Sequence, residues 1–186
     1  RLFYLYPDEL DDGLLDLLAN HPRVLPYVDM PLQHVADPLL RLMKRGHRGA
    51  RIRRIVERLR SRIPDLTFRS AFIVGHPGET QEHFDELCSF VDWAELDRVG
   101  VFRYSDEEGT ESAGLPGKIP PLVTANRQRR LLAIARRLSR RHGQALVGRQ
   151  LEVLVEGPSD EHEHVLVGRH RGQAPEIDGQ IYLSGT

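Results

Sequence analysis

The sequence has almost no cysteine and no long apolar run, and each shortage excludes a class of protein. Cys88 is the single cysteine among 186 residues, so an intrachain disulfide and a site with several thiolate ligands are both excluded. No apolar segment reaches the ~20 residues that a membrane-spanning helix needs, and no signal-peptide pattern is present. A charged fraction of 28% with a net charge of −1 is typical of a globular protein. We therefore expect a cytoplasmic protein that makes no contact with a membrane.

Both ends of the sequence lie beside apolar runs. The chain begins with RLFYLYP, without methionine, and stops at GQIYLSGT. From this we expect an excised piece of a longer protein.

Apolar runs alternate with amphipathic segments along the first part of the chain. Strands are predicted at residues 2–6 and within VLPYVDMPLQH, LTFRSAFIVG and RVGVFRYS, and helices within DELDDGLLDLLANHP, DPLLRLMKRG, ARIRRIVERLRSRIP and TQEHFDELCSFVDWAE. Asp8 and Asp37 are the predicted N-caps of the first two helices. This alternation predicts an α/β fold whose parallel strands are joined by right-handed crossovers.

The pattern changes after the fourth predicted strand. A loop rich in glycine and proline leads into an arginine-rich helix at about residues 122–146, and three short alternating segments, LEVLVEG, HVLVGRH and QIYLSG, then predict antiparallel strands. We therefore divide the chain into residues 1–120, a linking helix at 121–146 and a small β domain at 147–186.

Ligands of parallel α/β folds bind at the carboxyl ends of the strands, so the strand exits are the candidate site. The exit GHPGET at residues 75–80 combines two glycines, which let backbone amides approach a ligand, with Glu79, which can accept hydrogen bonds from an amine or a ribose hydroxyl. The alternative is a tight strand-to-helix turn with Thr80 as N-cap. No Gly-Lys-Ser/Thr follows, which excludes a P-loop.

The other polar candidates each have a plainer structural alternative. Gln33 and His34 follow the second strand and are suited either to ligand contact or to pairing with loop backbone. Asp106, Glu107 and Glu108 are suited to bind a cation or a basic group, or form an exposed acidic loop.

Three further sets of residues are candidates for metal binding, nucleophilic catalysis and phosphate binding. His162 and His164 lack a third ligand, which disfavours a metal site, and Cys88 occupies a core-facing position. The arginines of the linking helix bind phosphates or belong to a solvated helix with local pairing; they are Arg127, Arg129, Arg130, Arg136, Arg137, Arg140 and Arg141.

Six stretches, in order, resemble the motifs of the radical S-adenosylmethionine (SAM) methylthiotransferases. They are RLFYLYP, YVDMPLQH, LLRLMKRG, FIVGHPGET, RVGVFRYSDEEGT and APEIDG, and they span nearly the whole sequence. Within this family the sequence resembles the RimO-type branch, which methylthiolates the β-carbon of an aspartate in ribosomal protein S-twelve (uS12). The segment QHVAD stands where the tRNA-modifying branches usually have QSGS.

The resemblance implies the later strands of a TIM-like radical SAM partial (β/α) barrel, followed by part of an antiparallel TRAM domain. Such enzymes use SAM and two 4Fe–4S clusters, one to cleave SAM to a 5′-deoxyadenosyl radical and one for sulfur delivery. By resemblance the SAM pocket is lined by Gln33, His34, Gly75, Pro77, Gly78 and Glu79. His76 stands where the family more often has phenylalanine. The family's cluster cysteines do not occur in this sequence, so the resemblance assigns neither a metal ligand nor a catalytic residue to it.

Charge separates the remaining hypotheses. Between residues 151 and 186, seven acidic residues stand against Arg169 and Arg171, which favours a basic protein over RNA as the partner. We expect a monomer that binds uS12 through Asp106, Glu107, Glu108, Glu176 and Asp178.

Two alternatives stay open, a tRNA methylthiotransferase segment and an RNA-binding TRAM module beside the arginine-rich helix. An unrelated barrel hydrolase is disfavoured, because the sequence shows no nucleophile–base pair and no metal cluster.

A chain with one cysteine should hold no stable iron–sulfur cluster, because such clusters are held by several thiolates. Iron and acid-labile sulfide, measured on this chain after anaerobic reconstitution, should both stay at background. Stoichiometric iron and sulfide would contradict the prediction.

Overall fold

Two separate three-stranded sheets organise the chain in a computed structural model that describes residues 1–185. The first sheet contains β1 (Tyr27–Asp29), β2 (Thr67–Val74) and β3 (Arg98–Arg103), all parallel and in the order β1-β2-β3. The second contains β4 (Val153–Pro158), β5 (Leu166–His170) and β6 (Ile181–Leu183), paired antiparallel. The two sheets confirm the predicted α/β class with a small antiparallel unit after it.

Five α-helices accompany these strands in the described part of the chain: α1 (Asp12–Asn20), α2 (Asp37–Leu42), α3 (Gly49–Arg62), α4 (Gln81–Ala94) and α5 (Pro121–Gln144). Thr80 caps α4 as predicted, because its hydroxyl accepts a hydrogen bond from the His83 backbone N–H at 3.2 Å. Across residues 1–185, none of the helices combines the length and the apolar character needed to cross a bilayer.

The parallel sheet has one face covered by helices and one open face. Along β2, buried residues such as Phe68 and Phe72 alternate with partly exposed ones, because successive side chains of a strand point to opposite sides. Phe72 packs edge-on against Phe90 of α4, with ring centroids 6.3 Å apart. In the register of β2 and β3, the partly exposed Ala71 and Ile73 pair with Gly100 and Phe102, so these residues share the opposite face of the sheet. This open face consists of Arg69, Ala71, Ile73, Gly100 and Phe102.

Residues 2–6 do not form the predicted first strand. Leu2 makes a single parallel bridge with Val28, and the Leu5 N–H donates to the Asp29 carbonyl at 2.9 Å. Between these contacts Tyr4 has φ 57°, a left-handed conformation that interrupts extended pairing. The segment therefore lies beside β1 without continuing the sheet.

The first two helix caps also differ from the prediction. Asp11, rather than Asp8, caps α1 by accepting a hydrogen bond from the Leu14 N–H at 2.7 Å. Asp37 is the first residue of α2 and has no capping bond there; its carboxylate accepts a hydrogen bond from the Gly49 N–H at the start of α3, at 2.8 Å. Asp8 instead pairs with Arg51 of α3 at 2.7 Å, so both predicted caps contact α3, which local spacing does not reveal.

The antiparallel sheet docks against the starting edge of the parallel sheet. The Tyr27 hydroxyl donates to Asp178 at 2.7 Å, and the Arg98 guanidinium lies 3.7 Å from the same carboxylate. Tyr27 and Arg98 are the first residues of β1 and β3. Burial, and then the bond to Asp178, raises the pKa of Tyr27 well above its ordinary value. The small β unit therefore lies at the opposite edge from the strand exits.

Replacing Asp178 by alanine should lower the free energy of unfolding by about 2 kcal/mol, because it leaves a fully buried tyrosine hydroxyl without an acceptor. Glu176→Gln, two residues away and exposed, is the matched control and should stay within about 0.5 kcal/mol. Urea unfolding followed by circular dichroism measures both, and equal losses would show that Asp178 is not a docking contact.

Candidate functional site

The exits of the three parallel strands lie together at one edge of the sheet. The Gln33 N–H donates to the Ala71 carbonyl at 2.9 Å, and the Ile73 N–H donates to the Gln33 carbonyl at 2.8 Å, so the chain after β1 runs beside β2. The Tyr104 N–H donates to the Val74 carbonyl at 2.9 Å, which extends β3 beside the start of the glycine turn. These bonds bring Gln33, Gly75 and Tyr104 to neighbouring positions, where ligands of parallel sheets bind.

A buried carboxylate holds the glycine turn together. Glu79 is 1% exposed, and its Oε2 accepts hydrogen bonds from the Gly75 N–H at 2.6 Å and the Arg127 guanidinium at 2.7 Å. Its Oε1 lies 3.3 Å from Nε2 of His34. The Arg127 guanidinium also donates to the Glu79 carbonyl at 2.9 Å. The turn is thus tied to two other segments through one side chain.

The hydrogen bonds around His34 define which of its nitrogens carries hydrogen. Nδ1 accepts from the Ala36 backbone N–H at 3.0 Å, so Nε2 bears the hydrogen and donates to Glu79. Burial alone would raise the pKa of Glu79, but the hydrogen bonds from His34 and Gly75 and the charge of Arg127 outweigh it and hold that pKa below its usual value. Glu79 is therefore a buried, ionised anchor.

The linking helix α5 closes the turn from the other side. A Cβ built on Gly75 would lie 2.3 Å from the Thr124 hydroxyl oxygen, and Gly75 has φ 79°, so glycine is required there for both contact and conformation. Arg127 is one helical turn further along α5 and is 7% exposed. The sequence interpretation placed Arg127 among phosphate-binding or solvated arginines, and the structure corrects this. Arg127 precedes Leu131 and Leu138 at helical spacing, and this pattern in the sequence indicates that it shares the buried face of α5.

His34 and Glu79 are buried, whereas the resemblance implied that they line the cofactor pocket. Both side chains have no exposed surface, and their polar atoms are occupied within the chain. Pro77 is buried as well, and its carbonyl accepts a hydrogen bond from His76 at 2.9 Å. These three residues therefore support the turn through contacts within the chain.

Two of the predicted pocket residues do lie at the surface. Gly78 is exposed with φ 81°, and a Cβ there would meet only Leu42, at 3.2 Å. Gln33 is partly exposed with φ 66°, and its side-chain amide has no hydrogen-bond partner within residues 1–185. Gly78 is therefore the exposed part of the turn, and Gln33 lies partly exposed at the same edge of the sheet.

The acidic loop after β3 lies at this same edge. The Gly78 N–H donates to the Gly117 carbonyl at 3.0 Å, and Asp106 accepts hydrogen bonds from Lys118 and, at 2.9 Å, from the Tyr104 hydroxyl. The bond from Lys118 is the largest cause that lowers the pKa of Asp106. Asp106, Glu107 and Glu108 are exposed, so the loop presents carboxylates beside the turn.

Glu176 and Asp178 lie at the opposite edge, which separates them from the other predicted substrate contacts. Asp178 has a side chain only 2% exposed and accepts from Tyr27 and, at 2.8 Å, from the Ala174 N–H. We therefore correct its assignment from substrate binding to domain docking. Glu176 is exposed but belongs to the same docking segment.

Three of the six exposed arginines of α5 pair with acidic residues of α4 or of the position that follows it. Arg130 pairs with Asp85, Arg137 with Asp92 and Arg141 with Glu95. These pairs are half-exposed, and each contributes little to stability. Arg136 and Arg140 are exposed and form no ion pair in the described structure. Arg129 likewise makes no ion pair within residues 1–185 and donates to Asn126, so local ion pairing involves half of the exposed arginines.

Cluster or metal ligands are not assembled in the described part of the chain. Cys88 is buried in the core, and burial raises the pKa of its thiol to about 11. Within residues 1–185, no group of three His, Cys, Asp or Glu side chains is arranged to hold an ion. His162 instead lies edge-on to Tyr182, with ring centroids 6.2 Å apart.

Comparison with protein families gives matches to both parts of the chain. Residues 1–91 match the model of the radical SAM superfamily, and residues 147–186 match the TRAM domain. Among solved structures, coproporphyrinogen III oxidase (HemN) from Escherichia coli, described as a radical SAM enzyme, is similar with a TM-score of 0.60 over 72% of this chain and 31% of that chain. At 19% identity this likeness shows the fold alone.

Curated relatives are similar along the whole chain. The ribosomal protein uS12 methylthiotransferase RimO of Sorangium cellulosum is 66% identical over 100% of this chain and 38% of its own length. The proteins of the same name from Myxococcus xanthus and an Anaeromyxobacter strain are 48% and 50% identical over 99% of this chain and 39% of theirs. The chain therefore spans about two fifths of the length of these relatives.

Arg127→Met should lower the free energy of unfolding by about 3 kcal/mol at neutral pH, because it leaves the buried carboxylate of Glu79 without its counter-charge. Arg137→Met, on the same helix, loses a solvent-exposed pair and should cost at most about 1 kcal/mol. Urea unfolding of the two variants measures the difference.

The pH dependence of the Arg127→Met cost has a defined sign. Because the pKa of Glu79 is lowered in the fold, its ionised form adds stability above its ordinary pKa, and that stability is lost as the pH falls through the lowered value. The cost of Arg127→Met should therefore shrink toward acid pH. A cost that is independent of pH, or equal for the two variants, would contradict the anchoring role of Glu79.

Proposed function

We propose, because this chain belongs to the radical SAM methylthiotransferase family, that the full-length protein containing it methylthiolates the β-carbon of an aspartate in ribosomal protein uS12. The observation that carries the proposal is the 66% identity to a uS12 methylthiotransferase over 100% of the chain. We place the protein in the cytoplasm, where a ribosomal protein is encountered.

The strand exits fit the binding of SAM. Gly78 exposes backbone at the turn, which lets a ligand approach closely, and Gln33 supplies an amide without a partner within residues 1–185. Ile73 and Phe102, in register on the open face, supply apolar surface; Phe102 is 56% exposed. In this family SAM supplies, when bound to a reduced cluster, the radical that removes hydrogen from the substrate carbon. The residues of this chain would bind and orient the cofactor.

The described residues do not fit an iron–sulfur cluster, since their one thiol is buried in the core. We therefore assign no cluster ligand and no step of cluster chemistry to this segment. Its part in the reaction is to hold one side of the cofactor site in a fixed conformation through Glu79, His34 and Arg127.

We further propose that uS12 docks on the acidic loop, Asp106 to Glu108, beside the turn. Its exposed carboxylates favour a basic protein, and the loop lies at the edge where the cofactor would be held. Asp178 is excluded from this role because its carboxylate is used in docking. Charges at the rim of an interface act mainly on the association rate and its salt dependence.

The function is tested with the full-length protein, reconstituted anaerobically and supplied with SAM, a reductant and purified uS12. Mass spectrometry of uS12 peptides should show one methylthio group on an aspartate. Added salt should slow this modification more than it slows SAM cleavage in the absence of uS12. Modification of tRNA without modification of uS12 would instead support the tRNA-modifying alternative.

Gly78→Val in the same protein should reduce SAM cleavage by about tenfold or more, because displacing a bound reactant by ~1 Å has effects of that order or larger. The matched control is Gly148→Val: Gly148 also has positive φ, 78°, but nothing lies within 4 Å of its Cβ position. Iron content should stay normal in both variants. Unchanged cleavage in Gly78→Val would remove this turn from the cofactor site.

A further inference from the structure

His76 presents one free ring nitrogen at the edge of the glycine turn. The residue is only 4% exposed, and its Nδ1 lies 2.9 Å from the Pro77 carbonyl. A carbonyl only accepts, so Nδ1 carries the hydrogen and Nε2 keeps a lone pair. Nε2 has no partner within residues 1–185, yet it is not sealed in the interior as both ring nitrogens of His47 are. The small accessible part of His76 therefore includes an unused acceptor.

The ring of His76 is held in place rather than free to turn. It lies edge-on to Tyr104, with ring centroids 5.0 Å apart, while its Nδ1–H is bound to the backbone of the turn. Burial, the largest influence, lowers the pKa of His76, and His34 and Lys118 act in the same direction against Glu79 and the Pro77 bond. The ring is thus neutral near neutral pH and its lone pair is available.

The surroundings of this acceptor define the donor that it suits. Tyr104 follows β3 and still pairs with Val74 of β2, so its side chain lies on the same side of the sheet as Phe102, two residues earlier. The His76 ring beside Tyr104 therefore lies at the edge of the open face. The Tyr104 ring lies beside it, the nearby charges of Lys118 and Asp106 pair with each other, and the carboxylate of Glu79 is buried away from the surface. A neutral acceptor in such surroundings suits a neutral N–H or O–H donor better than an ammonium group, which gains more from a charged partner.

We propose that Nε2 of His76 accepts a hydrogen bond from an N–H or O–H group of the nucleoside half of bound SAM, which makes His76 a positioning residue for the cofactor. The inference rests on the proposed function, because it takes SAM as the ligand of the turn. The donor is the adenine amino group or a ribose hydroxyl. Phenylalanine at this position would keep the aromatic contact with Tyr104 but would lack the acceptor.

Three substitutions in the full-length protein separate the acceptor from the ring and from the backbone contact. His76→Phe keeps the ring, His76→Asn keeps a donor near Nδ1, and His76→Gln places an acceptor near Nε2. The dissociation constant of SAM, measured by equilibrium dialysis, should rise about fivefold in the Phe and Asn variants, the effect of one neutral hydrogen bond. The Gln variant should stay within about twofold of the wild type.

The matched control is His162→Phe, which changes a histidine that also lies edge-on to a tyrosine but belongs to the antiparallel sheet. Its dissociation constant for SAM should equal that of the wild type. Thermal unfolding and iron content of every variant show whether the protein is folded. A loss shared by the Phe, Asn and Gln variants would assign His76 a structural role only and would overturn the proposal.

SAM analogues identify the donor. Analogues with a dimethylated adenine amino group, or lacking one ribose hydroxyl, should bind the wild type about fivefold more weakly than SAM when the missing group is the donor. The same analogue should bind His76→Phe no more weakly than SAM does, because the bond is already absent. Equal losses in wild type and His76→Phe for every analogue would overturn the proposal.

The failure of this inference is distinguishable from the failure of the proposed function. Wild-type protein that binds SAM, together with a His76→Phe variant that binds it equally well, would overturn only the role of His76. Wild-type protein that does not bind SAM would overturn both.

Discussion

The ionised, fully buried carboxylate of Glu79 is the contact on which the geometry of the candidate site depends. A charge without solvent is costly unless it is paired and hydrogen-bonded, and this one is satisfied by His34, Gly75 and Arg127. Each partner belongs to a different segment, so satisfying the charge fixes the chain after β1, the turn after β2 and the helix α5 relative to one another. The exposed backbone at Gly78 is thereby presented in one defined conformation.

The two edges of the parallel sheet carry different tasks, and α5 connects them. Thr124, near the start of α5, packs on Gly75 at the strand exits, whereas His142, in its last turn, contacts the Glu95 carbonyl at 3.1 Å shortly before β3 begins. At that starting edge Asp178 docks the antiparallel sheet. Residues at the carboxyl ends of barrel strands commonly serve the reaction, while those at the other end serve stability. The docking contact of Asp178 at the starting edge fits this division.

Local patterns predicted most of the elements, because each depends on neighbours in the sequence. The spacing of Phe84, Leu87 and Val91 defined the buried face of α4, and Thr80 capped it as expected. The prediction was wrong for residues 2–6, where Tyr4 adopts a left-handed conformation, and for Asp8 and Asp37. The motifs indicated the family and the composition did not, because ordered stretches over nearly the whole chain are specific in a way that single turns are not.

The sequence by itself determined the fold class, the turn at residues 75–80 and the family, because these follow from short-range periodicity and from the order of motifs. Only the tertiary structure decided which polar residues are exposed at the strand exits and which are buried supports. In the sequence, Arg127 and Asp178 resemble surface charges. In the fold, Arg127 neutralises Glu79 and Asp178 accepts a hydrogen bond from Tyr27, and both partners are distant along the chain. Contacts between residues far apart in the sequence leave no local pattern, so only the folded chain reveals them.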